Sequence, residues 1–155
     1  MNREDIHNVV LDYLDLIENG RASVEDNLQA LELILDKLAL AHNFLDFQFE
    51  DADHPEAPRE DYNRLRQLAE RRFPHFGHYN SPEHITDRIA ESGLVVGDAI
   101  DDVADIARDM YETAWYWRHA SPEDALWLFR FGYESHWGEH LRGLQLYILA
   151  AKRGL

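Results

Sequence analysis

The chain has 155 residues, 45% hydrophobic and 12% aromatic, enough for one substantial core and too few for two comfortable domains, so a single domain over residues 1–155 is expected. Its formal charge of −15 repels phosphate backbones and anionic membrane surfaces, which argues against nucleic acid as a partner. The absence of cysteine removes disulfides, thiolate zinc sites, cysteine nucleophiles and iron–sulfur chemistry together. Met1 to Asp5 lack the apolar stretch of a secretory signal, and no run approaches membrane-spanning length, so the expectation is a cytoplasmic protein with no membrane partner.

Ile6, Val9, Val10, Tyr13, Leu14 and Ile17 recur at the spacing of an amphipathic helix, which Asn19-Gly20 ends with a residue tolerant of positive φ. Ser23 reads as the N-cap of a second helix. Glu25 and Asp26 fall in its favourable first turn, and Leu28, Leu31, Leu35, Leu38, His42 and Leu45 draw its apolar stripe. Asp51 to Glu60, broken by Pro55 and Pro58, reads as a surface loop. A third helix follows over about Pro58 to Arg72. Its arginines, Arg59, Arg64, Arg66, Arg71 and Arg72, are expected to offset local acidity instead of forming an anion site.

Phe73 to Asn80 reads as an irregular loop packed down by its aromatics, and Ser81-Pro82-Glu83 as the start of a short helix that Ser92-Gly93 stops. Two long helices then close the chain. The first, from about Leu94 to His119, has its seam in Val96, Ile100, Val103, Ala107, Met110, Ala114 and Trp117; the second is capped by Ser121 and runs to about Ala151. No segment alternates like a strand. The expected fold class is therefore all-α, a single-domain bundle of five or six helices with the last two long and antiparallel. The last helix carries Gly132, Gly138 and Gly143, each about 1 kcal/mol worse than alanine in a helix interior, and close approach of a neighbour is the expected compensation.

Chemistry concentrates in two places. His136 and His140, four residues apart, share a helix face and can share one metal ion; with Glu139 the run matches the inverted zincin spelling H-x-x-E-H, in which the glutamate is the general base. Asp98, Asp101, Asp102, Asp105, Asp109 and Glu112 form an acidic group whose one internal counter-charge is Arg108. Counted at about 100 degrees per residue, Asp101, Asp105 and Glu112 point nearly away from the apolar seam, and Asp98, Asp102 and Asp109 lie nearer its edge. If the last two helices run antiparallel about Ala120-Ser121, equal rise puts His136 level with Asp105 and His140 level with Asp101 and Asp102, so a His140 to Asp102 contact is expected first. A purely structural imidazole–carboxylate bond is the simpler reading of that contact.

Two resemblances add to this. Asp101-Asp102-Val103-Ala104-Asp105 resembles the acidic helix motif of all-helical nucleoside triphosphate pyrophosphatases, which hold magnesium with carboxylates from two helices; the best counterpart of their second acidic pair is Asp12 and Asp15. The stretch Asp101 to Ile106 with Tyr111, Asp124 to Tyr133, and His136-Trp137-Gly138-Glu139-His140, together with Phe73-Pro74 and Tyr79, resembles an uncharacterised bacterial family of short helical proteins classed only as a domain of unknown function. That resemblance implies a helical single domain and assigns no catalytic role.

Two functions follow as expectations. One is a non-enzymatic or accessory protein that self-associates into a homo-oligomer or holds a protein partner through aromatics such as Trp115, Trp127 and Phe131. The other is a metal-dependent hydrolase in which His136 and His140 bind a divalent metal, Asp102 or Asp105 completes the shell, and Glu139 is the base.

Overall fold

The computed structural model describes residues 1–45 and 56–155, so the first half of the loop expected over Asp51 to Glu60, Pro55 included, lies outside the described residues. α1 (Arg3–Asn19) starts in a capping box between Asn2 and Asp5 and ends at Gly20, whose φ of 70° suits glycine. α2 (Val24–Ala41) starts where the Ser23 hydroxyl accepts the Asp26 amide at 3.0 Å, and a 3₁₀ turn over His42–Phe44 closes it. α3 (Tyr62–Arg72) begins four residues later than the expected Pro58, at the Asp61 cap.

The next segment corrects the all-α expectation. Instead of a loop and a short helix, the chain forms β1 (His78–Pro82) and β2 (Leu94–Asp98), an antiparallel pair in which Tyr79 faces Gly97 and Asn80 faces Val96. Pro82 lacks an amide proton and ends β1, where the helical reading placed a first-turn proline. Leu94, Val95 and Val96 are all exposed, so β2 shows none of the alternation that marks a strand on a core. Among the described residues the protein is mostly helical with one small sheet.

α4 (Ala99–His119) therefore starts five residues later than expected, where the Asp98 carboxylate accepts the amides of Ile100 and Asp101. The final rod comprises α5 (Pro122–Gly132), a π turn over Tyr133–Trp137, and α6 (Gly138–Ala151). α4 packs against α1, α3, α5 and α6, and one core cluster draws apolar side chains from all six helices. Buried Tyr13 donates to the Val103 carbonyl at 2.9 Å, tying α1 to the N-terminal part of α4. No described helix is long and apolar enough to cross a membrane.

The glycines of the rod face close neighbours, as expected. A Cβ at Gly132 would lie 2.8 Å from the Trp137 ring, and one at Gly143 would lie 2.6 Å from the Tyr79 hydroxyl. Three of the four arginines of α3 are spent on acids and carbonyls: Arg64 binds Glu18 at 2.5 Å, Arg66 binds Asp101 at 2.8 Å and Asp98 at 3.0 Å, and Arg72 donates to the carbonyls of Ile17 and Glu18.

Arg64, with help from the Tyr111 hydroxyl, holds the Glu18 carboxyl below its ordinary value against the opposing effect of burial. The folded state thus favours the charged form. The stabilisation is complete above the ordinary carboxylate value and is lost as pH falls through the lowered one. Glu18→Gln is expected to lower stability by no more than about 1 kcal/mol near neutrality, because the pair is partly solvated. The gap between its melting curve and that of the wild type should close as the pH falls below the ordinary carboxylate range.

Candidate metal centre

Asp102, Asp105 and Asp109 are spaced three and four residues apart and share one flank of α4. The final rod runs antiparallel along that flank, so His136 in the π turn meets Asp109 and Asp105, while His140 in α6 meets Asp102 and Asp105. The contact expected between His140 and Asp102 is present, Nδ1 to Oδ1 at 2.8 Å. His136 makes the matching bond to Asp109, Nδ1 to Oδ2 at 2.9 Å. Asp105, expected to point nearly away from the apolar seam, is buried. α4 is covered by α3 as well as by the rod, and the Tyr62 hydroxyl of α3 donates to Asp105 Oδ2 at 3.3 Å and to Asp101.

A carboxylate only accepts hydrogen bonds, so each bond to Asp102 or Asp109 places an imidazole proton on Nδ1, and in the neutral ring Nε2 keeps its lone pair. Both Nε2 atoms turn toward Asp105: His136 Nε2 is 3.9 Å from Oδ1, and His140 Nε2 is 3.7 Å from Oδ2. These separations are too long for hydrogen bonds. Two atoms that each ligate one ion at about 2.1 Å with a tetrahedral angle lie about 3.4 Å apart, so the spacing suits a shared cation. One ligand atom from each of Asp105, His136 and His140 can be chosen so that all lie within 4.8 Å of one another.

The outer contacts hold this arrangement. Tyr79 of β1 donates to Asp102 Oδ2 at 2.6 Å, completing a chain from Tyr79 through Asp102 to His140. Its ring reaches that position because Gly97 and Gly143 have no side chains there: a Cβ on Gly97 would come within 2.5 Å of the ring. Asp102 raises the basicity of His140 above the ordinary imidazole value, burial opposes it, and Asp105 and Asp101 add to the rise. Burial pushes the Asp109 carboxyl up, only partly offset by His136 and Arg108.

Of the residues singled out in sequence, Asp105, His136 and His140 converge, and Asp102 stands behind His140 on the side away from the convergence. Glu139 is exposed and hydrogen-bonds to no member of the cluster. Asp12 and Asp15 are also exposed, and Asp15 is engaged by Asn19 and Arg21, so the second acidic pair of the pyrophosphatase resemblance lies away from the Asp102–Asp105 face. Sequence reasoning missed Tyr62 and Tyr79 as partners of the acids. Tyr79 lies in the segment read as packed down by its aromatics, but its approach to Asp102 depends on two glycines that no local pattern links.

A family model described as "Domain of unknown function (DUF5063)" matches residues 1–151. Among solved structures, protein BF1032 from Bacteroides fragilis is similar in fold, with a TM-score of 0.76 at 15% identity, covering 98% of this chain and 92% of that one. A comparison with curated proteins finds no match.

Proposed function

The chain belongs to the DUF5063 family, whose description assigns no activity, and from that premise we propose that the protein binds one divalent transition-metal ion through Asp105, His136 and His140. One observation carries this reading: both imidazoles are anchored at Nδ1 by carboxylates and turn their Nε2 atoms toward a third carboxylate. Carboxylate–histidine–metal relays of this kind orient the ring and raise its basicity as a ligand. Two imidazoles and a carboxylate suit zinc, manganese, iron, cobalt or nickel better than magnesium. Three protein ligands leave coordination positions for water, whose pKa a bound metal lowers toward neutrality, so metal-assisted hydrolysis is the reaction class that fits. The charge of the ion itself activates that water, and Glu139 takes no part.

Protein purified without chelator is expected to contain close to one equivalent of metal by elemental analysis. The stripped protein should be stabilised by about 2.7 kcal/mol when zinc or manganese is present at a hundred times its Kd, and not by magnesium at the same concentration. No metal content and no shift in melting would remove the reading. Asp102→Asn tests the outer contacts: it keeps all three ligands but loses the charge behind His140, so affinity should fall roughly 10- to 100-fold with the fold retained.

A second reading, self-association, rests on the exposed apolar surface. Phe131 is 51% exposed and stacks on Trp127 at 5.0 Å between ring centres, and Leu94 and Val96 of β2 are also exposed. Sedimentation at rising concentration should show a dimer that Phe131→Ser weakens; a strict monomer at high concentration rules it out.

A further inference from the structure

Arg108 reaches into the cluster from solvent. Its Nη2 lies 2.8 Å from Asp105 Oδ1 and 3.4 Å from His136 Nε2, two of the atoms assigned above to a metal ion. We propose that the Arg108 guanidinium is a resident cation that holds the metal position in the apo protein, and that an incoming divalent ion displaces it one turn along α4 toward Glu112. This inference rests on the metal reading and adds a regulation to it.

Asp102, Asp105 and Asp109 crowd one helix flank, and Arg66 neutralises only Asp98 and Asp101 beyond it. A cation beside Asp105 offsets the charge gathered on this flank, and Arg108 is the arginine that reaches it. A guanidinium only donates, so its approach to His136 Nε2 requires that nitrogen to be bare, the same state a metal needs.

The side chain can leave without opening the core. It is 44% exposed where Asp105 is 10% exposed, and it passes over the Tyr62 ring at 5.4 Å. A destination is at hand: Arg108 and Glu112 line one cavity of about 480 Å³ with Arg59 and Tyr116. Glu112 has no ion pair among the described residues, and burial with Asp109 pushes its carboxyl above the ordinary value while Arg108 draws it down. On a helix an acid three residues before an arginine is better placed than one four residues after it, so Arg108 rests on Asp105 until an ion takes that oxygen.

The test is calorimetric titration of zinc and of manganese into the stripped full chain, wild type against Arg108→Ala. Loss of the competitor should raise metal affinity about tenfold or more. Low millimolar guanidinium should lower the affinity of Arg108→Ala back toward the wild-type value and leave the wild type nearly unchanged. Glu112→Gln should weaken metal binding about twofold in the wild type, where it removes the destination, and should have no effect in the Arg108→Ala background. Unchanged or weaker binding by Arg108→Ala, or a Glu112→Gln effect of equal size in both backgrounds, overturns the displacement. If neither protein takes up metal, the cluster reading itself falls and the displacement with it.

Discussion

Replacing His140 with alanine is expected to abolish stoichiometric metal uptake, with a larger loss of affinity than the roughly 10- to 100-fold that follows loss of an outer contact. The mutation removes one of three ligands and also strips Asp102 of its partner, leaving that buried carboxylate with Tyr79 alone. The stripped protein should therefore melt earlier as well, by an amount equivalent to about 1.5–3 kcal/mol for a charge-assisted bond. Metal content by elemental analysis, measured where variant and wild type are both folded, separates the two effects. A structural bond alone predicts the lower melting point with no metal to lose. His136→Ala should behave similarly, whereas Glu139→Gln should keep full metal content, because that side chain is exposed and touches no member of the cluster. Full occupancy in His140→Ala would remove the centre.

Gly138→Ala is expected to destabilise the protein by about 2–3 kcal/mol, seen as a fall of about 5–10 °C in melting temperature. In an ordinary helix interior the same change gains up to about 1 kcal/mol, so the sign itself is diagnostic. Here the added methyl would run into the carbonyl oxygen of Tyr133, backbone of the π turn that cannot rotate aside. The available relief is to tighten that turn to α-helical winding, which swings His136 away from Asp109. Metal affinity should therefore fall along with stability. Gly77→Ala, where an added methyl meets nothing within 4 Å, is the matched control and should leave both unchanged.

The end of α1 and the starts of α2 and α5 were legible because capping is local chemistry: Gly20, Ser23 and Ser121 each do what their neighbours in sequence require. The pairing of His140 with Asp102 was legible too, since two antiparallel helices joined by a tight turn have a register that arithmetic supplies. The ribbon was not. Leu94, Val95 and Val96 belong to a strand with little cover, and Val96 falls in phase with the helical seam beginning at Ile100, so periodicity merged them. The burial of Asp105 was hidden for a related reason: a hydrophobic seam predicts one covered side of α4, and the cover from α3 comes with a polar group, Tyr62, that no seam records. The π turn left no trace in the pattern beyond Gly138, read from the sequence as room for a packing neighbour, whereas a Cβ there meets the Tyr133 carbonyl of the turn itself.

α4 touches α1, α3, α5, α6 and β2, and that position governs how the protein opens. The amides around Val103 to Ala107 are shielded on several sides, so in heavy water they should be the last to exchange, at a rate set by global unfolding. Fraying of α2, which leans on α1 and α6 instead, should leave them untouched. An ion seated on Asp105, His136 and His140 would slow exchange in α4 and the rod while α2 continues to breathe as before.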